Sequence, residues 1–440
     1  MRSKTATLTV TCTAIAAAFL CLSAAAQSPA PLDAAASDPA VMGWMKGAPP
    51  PADKTIQRAD ASYYKFPQTR WSFSNWSQFM PTHSVWRGEG AVAKLSGASD
   101  GKLEQLHFKP MNGGQDMTVA QALAAGYTDS VVVLHKGKIA YERYWGVTSA
   151  HTQHIAMSVT KSFVGTLAAT LIAEGKLDPK ALVTQYIPEL KESGFAQATV
   201  QDVLDMTSGV RFSENYADPK AEIWTYVRAG GILPRPADYS GPTNFYDFAK
   251  TVDKANEPGS TFAYQTVNSD VAGWLVRRVS GKNVGELLSE RIWSKLGAER
   301  DGIFALDSAG NEFAGGGLNV TTRDLARFGE MMRLDGRYNG QVIVPKAAVD
   351  SIRAGGNREV FATPANALLK GWSYKDMWWI SHDDHGAYMA RGVHGQAIYI
   401  DPKAQVVIAR FASHPAAANS ASDPVMLPMY RAISDELMQH

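Results

Sequence analysis

Ser158 and Lys161 stand three residues apart in the stretch IAMSVTKSFVGTLAATLIAEGKLDP. A hydroxyl beside an amine is the minimum equipment for a nucleophile with its own base. On a helix that spacing puts both side chains on one face, within reach of each other. Val159, Phe163, Val164, Leu167, Leu171 and Ile172 follow a helical period, and Gly175 is placed to end it. Ser158 then falls at the helix start, where the positive end of the peptide dipoles lowers the cost of an alkoxide and of an oxyanion bonded to the Ser158 N–H. Lys161, with apolar Met157 and Phe163 nearby, would be desolvated, which lowers its pKa and lets the amine act as a base. The spacing by itself does not decide the matter. Ser99-Asp100-Gly101-Lys102 repeats it in a turn-like segment with no helical period behind it, so the helical context selects Ser158.

Two further stretches offer partners. In GSTFAYQTVNSDVAGWLVRRVSG, Asn268 or Ser269 would cap a helix whose inner face is Val271, Leu275 and Val279, with Gly281 at its end. Tyr264 lies on the short extended segment before it, a place that presents a side chain to a cleft or packs it against the body. In YMARGVHGQAIYIDP, Gly392 and Gly395 flank the start of a strand. Glycines there either let the backbone approach a ligand, as a second oxyanion donor requires, or mark a simple bulge.

Taken in order, the Ser158–Lys161 tetrad, the Tyr264 segment and the glycine-bearing strand resemble the serine β-lactamase and penicillin-binding protein superfamily on its class C and esterase side. The blocks LDMTSGV, ENYADPKAEIW, FAYQTVNSDVAGW, TTRDLARFGEMM, MWWI and GVHGQAIYIDP are similar, more narrowly, to the 6-aminohexanoate-dimer (nylon oligomer) hydrolases, from about Trp71 to the C-terminus. The resemblance implies Ser158 as nucleophile, Lys161 as general base and Tyr264 as the proton relay to the leaving group. It implies the backbone N–H groups of Ser158 and Val393 as the oxyanion hole, Tyr216 closing over the amide, and Trp379 lining the pocket. Two departures weigh against β-lactamase action. Tyr264 is followed by Gln265-Thr266, without the class C asparagine, and the Lys-Thr-Gly element reads Ala390-Arg391-Gly392, so Arg391 alone would supply positive charge to a bound substrate.

The elements that must hold these residues are legible in outline. DSVVVLHKGKIAYERYWG reads as two strands around a Lys136-Gly137-Lys138 turn, and QAIYIDPKAQVVIARFAS repeats the design with Asp401-Pro402-Lys403 at the turn. Helical stretches fill the middle, and DPVMLPMYRAISDELMQH gives a terminal helix. The expected fold is α+β, β-lactamase/transpeptidase-like: an antiparallel sheet formed by N- and C-terminal parts and flanked by helices, with an inserted mostly helical domain at about 180–300. Residues 27–110, rich in Ala, Pro and then aromatics, form an arm expected to pack on the main body at 111–440.

The N-terminus, MRSK followed by an apolar run and SAAAQ, reads as a signal peptide over 1–26 with cleavage at Ala26/Gln27, so an exported, periplasmic protein is expected. An uncleaved anchor is the weaker alternative. Cys12 and Cys21 both lie in this segment, which leaves the mature chain without thiol chemistry. With 43 Lys+Arg against 42 Asp+Glu there is no electrostatic footprint for nucleic acid. A small amide or ester is the expected partner, with no cofactor and no metal. The His151/His154 and His382/His385 pairs are expected to be surface or loop histidines. The α/β-hydrolase class is set aside. A carboxylesterase, a D-amino-acid peptidase and a penicillin-recognising sensor module stand as alternatives to the amide hydrolase.

Overall fold

The run Val131-Val132-Val133-Leu134 is continuously apolar because its strand is covered on both faces. Side chains alternate along a strand. Val131 and Val133 therefore enter one core with Met389, Tyr399 and Ile408, while Val132 and Leu134 enter the other with Ile398, Ile400 and Val407. The computed structural model describes residues 30–440. The expected signal peptide with its cleavage point, and both cysteines, lie outside the described residues.

In chain order the strands of the two larger sheets are β1 (Thr82–Val85), β2 (Thr128–His135), β3 (Lys138–Tyr144), β4 (Gln153–Ile155), β5 (Gly302–Ala305), β6 (Leu318–Thr321), β7 (Ser373–Lys375), β8 (Trp378–Ile380), β9 (Tyr388–Gly392), β10 (Gln396–Asp401) and β11 (Val406–Ala412). The helices that matter here are α1 (Val159–Ala173), α2 (Val267–Ser280), α3 (Thr322–Arg333) and α4 (Asp423–Met438). The main sheet is antiparallel and seven-stranded, in the order β7-β8-β9-β10-β11-β2-β3. It is closed by the pairing of β11 with β2, from Val406↔His135 to Ala412↔Thr128. N- and C-terminal parts of the chain thus share one sheet, as the two hairpin patterns predict. Lys136 and Gly137 both have positive φ, which a two-residue hairpin turn of the right twist requires.

Helices α1 and α3 pack on one face of this sheet, and α4 with the Val119–Ala125 helix covers the other. Between β4 and β5 every named element is a helix, so the fold is the expected α+β with a mostly helical insertion. A second, four-stranded antiparallel sheet, in the order β1-β5-β6-β4, joins the arm to the segment that precedes α1. The sequence does not announce it, because three or four residues per strand are too few to establish an alternation.

Within the arm, Trp44, Ile56, Tyr63, Phe73 and Trp76 are buried in the same core as α1. Among the described residues no helix is long and apolar enough to cross a membrane.

Candidate active site

α1 is buried along almost its whole circumference, which anchors its first turn firmly. Ser158 stands at the N-cap, yet its side chain makes no capping bond to the backbone. A serine in that position usually satisfies one of the helix's free N–H groups; here the hydroxyl accepts from Lys161 instead. Met157, just before it, has φ 46°, a left-handed conformation that costs a non-glycine residue energy and is retained where the surrounding structure imposes it. The sharp turn brings Ser158 Oγ out beside Lys161.

Lys161 Nζ lies 3.0 Å from Ser158 Oγ and donates to the Gly315 carbonyl at 2.6 Å. Its side chain is 1% exposed. Burial lowers its pKa to about 8, and the Glu214 and Asp270 carboxylates oppose that shift by favouring the charged form. The nitrogen also sits 5.3 Å from the centre of the Tyr264 ring. Tyr264 is stacked on Trp379, with ring centroids 5.4 Å apart, and meets Tyr374 edge-on. Burial and the negative charge of Glu214 raise the Tyr264 pKa, while the Ser158 hydroxyl and Arg391 act in the opposite sense. The phenol is therefore a neutral proton donor at ordinary pH.

Gly392 ends β9 directly against the start of α1. A Cβ there would stand 2.8 Å from the Ala156 carbonyl and 3.0 Å from the Ser158 nitrogen. Only a glycine lets β9 lie this close, and the next residue, Val393, is thereby carried to the same mouth as Ser158. Among the described residues neither the Ser158 nor the Val393 N–H finds a backbone acceptor in the turns and loops around it. Gly395, with φ +97°, completes the one-turn connection into β10.

Two cavities meet at Ser158. An outer cleft of about 1470 Å³ is lined by Ser158, Tyr216, Tyr264, Trp379, Arg391 and Val393. A narrower inner recess of about 420 Å³ shares Ser158, Tyr216 and Val393 and is walled by Tyr64 and Trp76 from the arm. In β8, alternation sends Trp378 into the core, where its indole donates to Thr166 Oγ1, and Trp379 into the cleft. All seven residues singled out from the sequence thus converge on one site.

Several residues that shape the site carry no signal on their own in the sequence. Glu214 accepts from the Tyr216 hydroxyl at 2.7 Å, from the Thr266 N–H at 2.7 Å and from the Thr266 hydroxyl at 2.8 Å. It thereby caps α2 from a distant loop. Asn268 and Ser269 lie inside the first turn of that helix, and Thr266 holds the N-cap, which corrects the capping expected of them. Gly281, φ 70°, does end α2. Asp270, buried in the same turn, accepts from the Tyr226 hydroxyl, and burial raises its pKa to about 7. Gly315 opens the run Gly315-Gly316-Gly317, a sequence signal for a close backbone approach. Arg391 lines the cleft, and its guanidinium donates to the Asp423 carboxylate, so its charge is already matched.

Ser99 fares as the lack of a helical period implies. It is exposed, and its hydroxyl is engaged with the Glu142 backbone. Gly97–Gly101 also spells Gly-x-Ser-x-Gly around it. It is no strand-to-helix elbow, since Gly97 bridges to β3 and a short 3₁₀ turn follows. Of the histidines, His154 and His385 are buried structural partners of Asp129 and Asp401, at 3.2 and 2.6 Å, and not surface residues. Among the described residues no group of three or more His, Cys, Asp or Glu is placed to hold a metal ion.

The chain is similar in sequence and fold to known proteins. The family model described as Beta-lactamase matches residues 116–425. A 6-aminohexanoate-dimer hydrolase of Paenarthrobacter ureafaciens is 34% identical over 80% of this chain and 88% of its own. A solved structure from Bacillus anthracis, assigned as a 6-aminohexanoate-dimer hydrolase, superposes with a TM-score of 0.80 at 31% identity, covering 89% of this chain and 99% of the other. A family VIII carboxylesterase shares the fold at 16% identity with a TM-score of 0.54, over 77% of this chain and all of its own.

Proposed function

The chain belongs to the Beta-lactamase family, and from that premise we propose that this serine hydrolase cleaves small linear amides, and esters of similar shape, through an acyl-enzyme formed on Ser158. The observation that carries the reading is the buried amine of Lys161, 3.0 Å from Ser158 Oγ and with its pKa lowered to about 8. A fair fraction of that amine is neutral near neutral pH, so it can take the serine proton as Oγ bonds to the substrate carbonyl carbon. The carbonyl electrons move onto oxygen, where the N–H groups of Ser158 and Val393 meet the developing charge. As the C–N bond breaks, the Tyr264 hydroxyl passes its proton to the leaving nitrogen and is restored by the Lys161 ammonium. Water then repeats the sequence on the acyl-enzyme and releases the acid. Tyr216, held by Glu214, and Trp379 border the space in which the linear chain would lie.

The Paenarthrobacter relative supports a linear amide as the natural substrate class, and the basic, then apolar, then small-residue N-terminus supports an exported, periplasmic location. The test is a panel of linear ω-amino amides, short-chain nitrophenyl esters and β-lactams offered to the purified protein. Steady turnover of amides and esters with poor β-lactam hydrolysis is expected. A single stoichiometric burst on all three would instead identify a penicillin-recognising sensor.

A further inference from the structure

Arg391 and Asp423 form an ion pair on the wall of the outer cleft that also exposes Ser158. Each residue is only 6% exposed. Arg391 is held from below by the cleft tryptophan, its guanidinium carbon 5.0 Å from the centre of the Trp379 ring. It sits in β9, one residue before the glycine that abuts Ser158. Asp423 reaches the same wall from a different element, as the first residue of α4. Among the described residues Arg391 is the one cation that pairs with Asp423, and Asp423 the one carboxylate that pairs with Arg391. Neither side chain is required by the acyl-transfer steps above. Taking two charges out of water to face a substrate cleft is costly unless they do something there.

A guanidinium at this place would, if free, be the natural receptor for a carboxylate on the substrate, because its planar fork matches that group. We propose that Asp423 is a specificity-determining residue: by occupying the Arg391 guanidinium it turns away substrates that carry a carboxylate beside the scissile bond. The cleft then accepts linear amides and esters whose corresponding end is uncharged or cationic. Discrimination of this kind comes from filling the site that the wrong substrate needs. The inference rests on the hydrolase reading, and it explains at the level of one contact why a chain with an arginine in its cleft should still handle β-lactam carboxylates poorly.

The deciding experiment is a binding measurement that needs no turnover. Hexanoate and hexanamide are titrated calorimetrically into the parent protein, Asp423→Asn and the double variant Arg391→Gln/Asp423→Asn. Asparagine keeps the shape and one acceptor oxygen while removing the charge, so the cleft wall should stay in place; circular dichroism and thermal unfolding check that it does. The preference for hexanoate over hexanamide is expected to rise about tenfold or more in Asp423→Asn, the scale of a charge-assisted hydrogen bond, and to fall back in the double variant. An unchanged preference in Asp423→Asn, or an equal rise in the double variant, overturns the proposal. Ester turnover by the parent is followed in parallel. Its absence counts against the hydrolase reading and leaves the binding result to judge Asp423 by itself.

Discussion

Two protons decide what Ser158 can do, and each is assigned to one side chain. The first must leave the serine for Lys161, which can accept it only when neutral. With the Lys161 pKa near 8, kcat/KM should rise with pH through about 8 and level off above it; below that point the neutral fraction falls about tenfold per pH unit. The Asp270 carboxylate favours the charged lysine, so Asp270→Asn should move this inflection to lower pH. Lys161→Arg should be nearly inactive across the profile, since a guanidinium stays protonated. Near-normal rates with arginine would reduce the residue to an electrostatic partner. The second proton belongs to Tyr264. An expelled amine needs it, whereas a nitrophenolate leaves without it, so Tyr264→Phe should damage amide hydrolysis more than activated-ester hydrolysis, by a factor approaching about 10²–10⁴. Equal loss on both substrates would place the tyrosine in the activation of Ser158 instead.

At the scale of elements, the site exists because β9 and the start of α1 touch through Gly392. Gly392→Ala would drive a methyl group into the Ala156 carbonyl and the Ser158 nitrogen, both parts of the turn proposed to form the oxyanion hole. A loss of about 10²–10³ in kcat is expected, the value of one oxyanion donor, with a smaller change in KM; steady-state kinetics on one ester measures it. Full activity would mean that the two N–H groups do not act as donors. What could be read from the sequence follows the same division. α1, the β2–β3 hairpin and the β10–β11 hairpin announce themselves because each of their elements runs for six residues or more in the chain. Glu214 does not, because its role is to cap α2 across 52 positions of sequence. Local rules put the cap on Asn268 or Ser269, and a tertiary contact overrode them. Asp423 was equally hidden, since nothing near it in the sequence mentions Arg391.

At the scale of the molecule, the arm is part of the catalytic body. Phe73 is fully buried, its ring lies edge-on to His394 with centroids 5.2 Å apart, and its carbonyl accepts from the Ile155 N–H at 2.9 Å. His394 follows Val393 directly, and Ile155 ends the strand that leads into Ser158. One arm residue therefore braces both halves of the proposed oxyanion turn. Phe73→Ala should cost about 3–5 kcal/mol of stability, as other buried phenylalanines do, read as a lower urea midpoint. Activity per folded molecule should fall as well, a loss that a purely peripheral arm would not produce. The cleft itself lies where the helical insertion, the main sheet and α4 come together, so no single segment of the chain contains the site.

The central claim is that chemistry begins at Ser158 and nowhere else. Its most direct test is to quench the protein during turnover of an activated ester and locate the acyl group by peptide mass mapping. The adduct should sit on the peptide containing Ser158, and Ser158→Ala should show neither adduct nor turnover while unfolding at the same temperature as the parent. An adduct on Ser99 or any other residue, or sustained turnover in Ser158→Ala, would contradict the account.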